Sequence, residues 1–172
     1  VLLNDLIGGL RPSDTFNVIL FSGSSRALAE QSVPATRANI ERALKTIDRM
    51  GGGGSTEIVP ALRRVAALPK PADVSRSVIV VPDGYVAMEN EVFQLVRRNL
   101  SQANVFAFGI GSSVNRHLIE GLARAGQGEE FIVTRPEHAA RQAERLRHII
   151  DAPVLTRLKA RFEGLDVYDV EP

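Results

Sequence analysis

The sequence predicts an α/β fold, a mostly parallel sheet covered by helices on both faces, and three observations predict it. Short apolar runs rich in Val, Ile and Phe alternate with longer stretches whose apolar residues recur at helical spacing. The runs are continuous rather than alternating with polar residues, as strands buried on both faces should be. Breaks such as Pro69-Lys70-Pro71 and Gly126-Gln127-Gly128 fall where loops are needed.

Taken in order, Val1 to Leu10 reads as the last turns of a helix, with Gly8-Gly9 near its end and Pro12 beyond. Phe16 to Phe21 reads as a strand. Arg37 to Arg49 is a helix that places Ile40, Leu44 and Ile47 on one face, and Ile58 to Leu68 does the same with Leu62, Val65 and Ala66. Val78 to Val81 is the next strand. A helix over Glu91 to Leu100 carries Val92, Leu95 and Val96, and a strand follows at Val105 to Phe108. Val114 to Ala125 is helical, with Leu118 and Leu122 inward; Phe131 to Val133 is a strand; Glu137 to Ile150 is the last helix. Asp151-Ala152-Pro153 breaks that helix, and Leu155 to Phe162 and Leu165 to Val170 then alternate like exposed strands. The chain divides into a unit over 1–150 and a segment over 151–172, read as a C-terminal β extension or the start of a next domain.

Composition narrows the function. With 172 residues, 44% hydrophobic and 24% charged, the chain has a globular composition and enough length for a hydrophobic core. Lys plus Arg number 21 against 20 for Asp plus Glu, a net charge of +1, which argues against a nucleic-acid binder. No cysteine is present, so disulfides, thiolate metal sites and cysteine nucleophiles are excluded. The longest strongly apolar run, Val78 to Val81, is far too short to span a bilayer.

Three segments could carry chemistry. Gly51 to Gly54 precede Ser55-Thr56, but a phosphate-binding loop needs a lysine where Ser55 stands, and the run lies between two helices rather than after a strand. It reads as a helix-helix linker, or as a place where backbone approaches a partner closely, with Thr56-Glu57 opening the next helix and Pro60 in its first turn. Val78 to Gly84 is a buried strand that ends in Asp83, at the sheet edge where open α/β folds bind ligands; the plainer reading is a turn aspartate. Val105 to Ser113 is a strand running into Gly109-Ile110-Gly111, which lacks the third glycine of a dinucleotide fingerprint and reads as a tight turn capped by Ser112 or Ser113. His117, His138 and His148 have no metal-site spacing and read as surface or packing residues.

Together these segments resemble a von Willebrand factor type A domain of the kind found in inter-alpha-trypsin inhibitor heavy chains and their bacterial relatives, which carry a vault/inter-alpha-trypsin domain upstream. The residues that carry the resemblance are Leu10 to Ile19 with Phe21-Ser22, Gly53 to Ile58 with Pro60-Ala61-Leu62, Asp83-Gly84 with Glu89-Asn90-Glu91, Phe106 to Ser112, and Ala152 to Thr156. The resemblance implies a Rossmann-like, doubly wound sheet. It also implies an adhesion-type site, with magnesium or manganese held by loops at the carboxyl edge of the sheet. Thr56 and Asp83 match two of its ligand positions. A hard dication of this kind takes oxygen ligands and keeps several waters, leaving a place for a partner's carboxylate.

The sequence departs from the family pattern in lacking the Asp-x-Ser-x-Ser loop. The chain is read as truncated at its N-terminus, without the family's first, central strand and with an incomplete metal site that binds weakly or not at all. Ser55 beside the threonine and Pro82 before Asp83 are smaller departures. The gap between Phe16–Phe21 and Val78–Val81 is expected to close by direct pairing or to be filled by a segment of another copy, giving a strand-exchanged homodimer. The function implied is a non-enzymatic, adhesion-type module for a protein or matrix ligand that offers a carboxylate. Its contact surface would comprise Ser55, Glu57, Gly84, Gly111 and Ser112, in a secreted, periplasmic or surface-anchored protein. The alternatives are a structural A domain with a dead metal site, and a nucleotide-binding α/β domain.

Overall fold

The computed structural model describes residues 2–21, 25–49, 58–82, 89–99, 103–151, 161–164 and 168. Among the described residues a parallel sheet of three strands forms the centre, in the order β5 (Arg76–Val80), β6 (Ala103–Ile110), β7 (Glu130–Val133). Val78 sits opposite Val105 and Val80 opposite Ala107, while Phe108 pairs with Phe131 and Ile110 with Val133.

Alternation along β6 explains the helices on both faces. Val105 and Ala107 point to one side and join Val78, Val80, Leu62, Val92, Val96, Leu118 and Leu122 in one core. The helices of that face are α3 (Ile58–Ala67), α4 (Glu89–Asn99) and α5 (Arg116–Ala125). Phe106 and Phe108 point to the other side and meet Phe131, Val133, Ala143 and Leu146, together with Leu2 and Leu6. There α1 (Leu2–Gly8) packs on α6 (Ala139–Asp151). The Phe108 and Phe131 rings stack with centroids 4.5 Å apart and planes at 8°. Apolar burial on both faces is what the continuous valine and phenylalanine runs require, and the doubly wound α/β expectation holds.

Two parts of the expected layout are corrected. The strand expected over Phe16–Phe21 is two short pieces, β1 (Thr15–Phe16) and β2 (Ile19–Leu20), broken at Asn17. Asn17 is the cause: its Nδ2 donates to Ala29 O at 2.9 Å, and its Oδ1 accepts from the Val18 and Ala29 N–H groups. A side chain that satisfies the opposing backbone displaces the regular ladder. Two antiparallel pairs result, β2 with β3 (Arg26–Ala27) and β1 with β4 (Val33–Pro34).

The direct pairing expected between Phe16–Phe21 and Val78–Val81 is also absent among the described residues. There β2 pairs with β3, and β5 pairs with β6 alone. Ile79 is accordingly 38% exposed on an edge strand, whereas the same face of β6 is buried.

Helix boundaries follow the apolar spacing closely. The second helix, α2 (Arg37–Asp48), opens on Thr36, whose side chain accepts from the Asn39 N–H. The last helix begins later than its spacing suggested, because Pro136–His138 form a 3₁₀ turn before Ala139. Of the segment after Asp151, only residues 161–164 and 168 are described, and 161–164 carry no strand. The strands expected at Leu155–Phe162 and Leu165–Val170 otherwise lie outside the described residues.

The start of β5 is held by a residue with no obvious core role. Arg76 donates from its guanidinium to the carbonyls of Val65 (3.4 Å), Leu68 (3.0 Å) and Pro69 (2.6 Å). These are carbonyls at and just beyond the end of α3, where few helical N–H groups remain to bond them; that of Val65 also accepts from the Leu68 N–H at 3.2 Å. Burial pushes the Arg76 guanidinium below its usual value, but an arginine stays charged throughout the working range.

Candidate functional site

The carboxyl ends of β5 and β6 meet the first turns of α4 and α5 at one edge of the sheet. Three local features of the sequence shape that edge. Gly111 follows β6 at φ +97°, a conformation that side chains rarely adopt, and its N–H donates to Val133 O at 2.9 Å. Gly109 leaves room for Val114, which folds back over the sheet; a Cβ on Gly109 would collide with that side chain. Asn115 then starts α5, its Oδ1 accepting from the Leu118 N–H at 3.1 Å.

The helix starts are joined. Asn115 Nδ2 donates to Glu89 Oε1 at 2.6 Å, and Glu89 is the first residue of α4. The other carboxylate oxygen, Oε2, stands 3.4 Å from His117 Nε2. The His117 ring meets Phe93 edge to face, with centroids 5.8 Å apart, and Phe93 lies over Gly121 one turn further along α5. A cleft of ≈ 640 Å³ opens above this arrangement, lined by Pro82, Glu89, Ile110, Ser113, Val114 and His117 among others. Ile110 is 50% exposed there.

Of the residues named from the sequence, Gly111 and Ser112 lie in the loop that rims this cleft, and Ser112 is exposed. Ser55, Thr56, Glu57, Asp83 and Gly84 lie outside the described residues. The cap expected at Ser112 or Ser113 is Asn115 instead, because Val114 turns inward before the helix begins and delays its first turn. Asn115 and His117 were not singled out as site residues, and Glu89 entered only as part of the Glu89-Asn90-Glu91 match. An asparagine three residues before Leu118, the first buried residue of an amphipathic stretch, is the signal that could have found the cap. Histidines 138 and 148 are exposed, as expected. Among the described residues, no group of three or more His, Asp or Glu side chains converges.

Comparison with known proteins agrees with this architecture. The family model of the von Willebrand factor type A domain matches residues 2–130, and the chain belongs to that family. It is 22% identical over 166 residues to a von Willebrand factor A domain-containing protein of Dictyostelium discoideum, covering 96% of this chain and 18% of that protein. It is 30% identical over 149 residues to von Willebrand factor A domain-containing protein 5B1 of Mus musculus, covering 86% of this chain and 12% of the relative. The chain therefore spans a small part of the length of these relatives. Among solved structures, the von Willebrand factor type A protein from Catenulispora acidiphila superposes with a TM-score of 0.72 at 16% identity, over 84% of this chain and 35% of that one.

Proposed function

We propose that the chain is a non-enzymatic protein-interaction module whose partner docks on the carboxyl edge of the sheet. The observation that carries this reading is the open cleft at that edge, with a half-exposed isoleucine and a carboxylate held in place by Asn115. An exposed apolar side chain beside oriented polar groups suits a protein contact better than a small-molecule pocket. On this reading the Gly111-Ser112 loop is one wall of the contact surface, and Ser55, Glu57 and Gly84 extend it.

The same reading assigns a divalent-ion site to Thr56 and Asp83. A hydroxyl and a carboxylate are hard oxygen donors that suit magnesium or manganese, and waters fill the remaining positions until a partner's carboxylate takes one. One formal charge from two protein ligands makes for weak binding. The test is a manganese and magnesium titration by calorimetry on the chain and on Asp83→Ala and Thr56→Ala. Weak binding that either substitution removes supports the site. A folded chain that binds neither ion favours the second reading, a structural A domain with a dead metal site. That second reading draws on Pro82, which is buried immediately before Asp83.

We infer from the order of the matching segments a protein of the inter-alpha-trypsin inhibitor heavy chain type that acts outside the cytoplasm. Among the described residues, no helix is long and apolar enough to cross a membrane. The edge of β5 is the surface on which a second copy would exchange a strand. A nucleotide-binding role has little support, because Asn115 already uses the Leu118 N–H that an anion at the start of α5 would need.

A further inference from the structure

Resting on the reading that a partner docks at the carboxyl edge of the sheet, we propose that this partner presents an arginine or lysine to Glu89 and, beside it, an apolar side chain to Ile110. The occupant of the cleft is then an extended peptide segment in which a basic residue neighbours an apolar one.

The charge of the cleft carries the proposal. Among the described residues that line it, Glu89 is the one acidic side chain, and no lysine or arginine stands there. Its Oε1 accepts from Asn115 Nδ2 at 2.6 Å, which fixes the carboxylate in one orientation. Its Oε2 meets His117 Nε2 at 3.4 Å, a contact that is an ion pair only while the imidazole is protonated. An ordinary imidazole is mostly neutral at about pH 7.5, whereas a guanidinium or ammonium keeps its charge. The His117 side chain is 74% exposed, so a partner's cation can take its place beside Oε2. A partner's carboxylate at the same point would face a like charge.

The apolar half of the partner follows from the rest of the lining. Ile110 shows half its surface at the end of β6, in the same cleft as Pro82 and Val114. Lysine and arginine carry apolar stems, so a basic side chain can lie along this wall with its head at Glu89. An aliphatic neighbour then covers Ile110 and keeps water from the charge contact. The Glu89 side chain is 22% exposed, so it loses little further hydration when the partner closes over it. Complementary charge of this kind selects between partners more than it adds affinity.

The experiment is an amide-resonance titration of the 172-residue chain at about pH 7.5. The probes are acetyl-leucyl-arginine amide, its neutral isostere acetyl-leucyl-citrulline amide, and acetyl-leucyl-glutamate amide. The arginine probe is expected to displace the amide signals of Ile110, Ser113 and His117, and to bind about two- to fivefold more tightly than the citrulline probe. The glutamate probe is expected to bind more weakly than either. Glu89→Gln keeps an oxygen for Asn115 and removes the charge, so it should bring the arginine probe down to the affinity of the citrulline one. Equal binding of all the probes at these amides would overturn the basic partner while leaving the edge a docking surface. An arginine-probe affinity unchanged by Glu89→Gln would do the same. No displacement of these amides by any probe would overturn the docking reading as well.

Discussion

Asn115 and Glu89 tie the first turns of α5 and α4 together: Asn115 accepts from its own helix with Oδ1 and donates to Glu89 with Nδ2 at 2.6 Å. A residue that serves a cap and an inter-helix bond at once sets the geometry of the cleft as well as its stability. Asn115→Ala is expected to cost about 1–2 kcal/mol in urea unfolding. Asn115→Asp keeps the cap but turns a like charge towards Glu89, so it should restore α5 without restoring the cleft. A fall in stability equal to that of Asn115→Ala, with the α5 amide signals intact, is the result expected for Asn115→Asp; full wild-type stability would show the inter-helix bond to be negligible.

Arg76 closes the end of α3 onto the start of β5 with three carbonyl contacts. Hydrogen bonds from a charged donor to partly buried acceptors are the stronger kind. Arg76→Ala should therefore destabilise the chain by about 2–3 kcal/mol, and Arg76→Lys should recover only part of that, because an ammonium cannot spread over three carbonyls as a guanidinium fork does. Equal stability of the lysine variant and the wild type would refute the role given to the fork.

Gly109 matters because Val114 occupies the space its side chain would take. Gly109→Ala is expected to lower stability by about 1–3 kcal/mol through overpacking and to disturb the loop that rims the cleft. Pairing it with Val114→Ala should relieve much of that loss, since the two residues share one volume; strictly additive effects in the double-mutant cycle would contradict the steric account.

Legibility in the sequence followed the strength of each local signal. Strands β5, β6 and β7 were readable because Val78, Val105 and Phe131 sit in short runs that only burial on both faces explains. Helices were readable from spacing, as with Leu118 and Leu122 on α5. The break at Asn17 was hidden because the flanking residues, Phe16 and Val18 to Phe21, all favour strand, and the displacing bonds reach twelve residues along the chain to Ala29. Arg76 was hidden because a charged residue at the start of a strand looks solvent-facing, and its acceptors belong to the end of a different element. Of the candidate site, the sequence marks the glycine turn after β6, whose Gly111 and Ser112 sit between the cleft-lining Ile110 and Ser113, but the bond from Asn115 to Glu89 spans 26 positions and leaves no local pattern.

The edge of β5 makes the last prediction. Among the described residues this strand has a partner on one side only, and Ile79 shows on its open face. An unprotected edge with an apolar side chain is a template for another strand. If a second copy supplies that strand, light scattering should show a dimer fraction that rises with concentration. Ile79→Lys should abolish it with little loss of monomer stability, because the site is already part exposed and a lysine can direct its charge to water. A chain that stays monomeric at every concentration, with the wild type and the lysine variant indistinguishable, would remove strand exchange as an explanation for this edge.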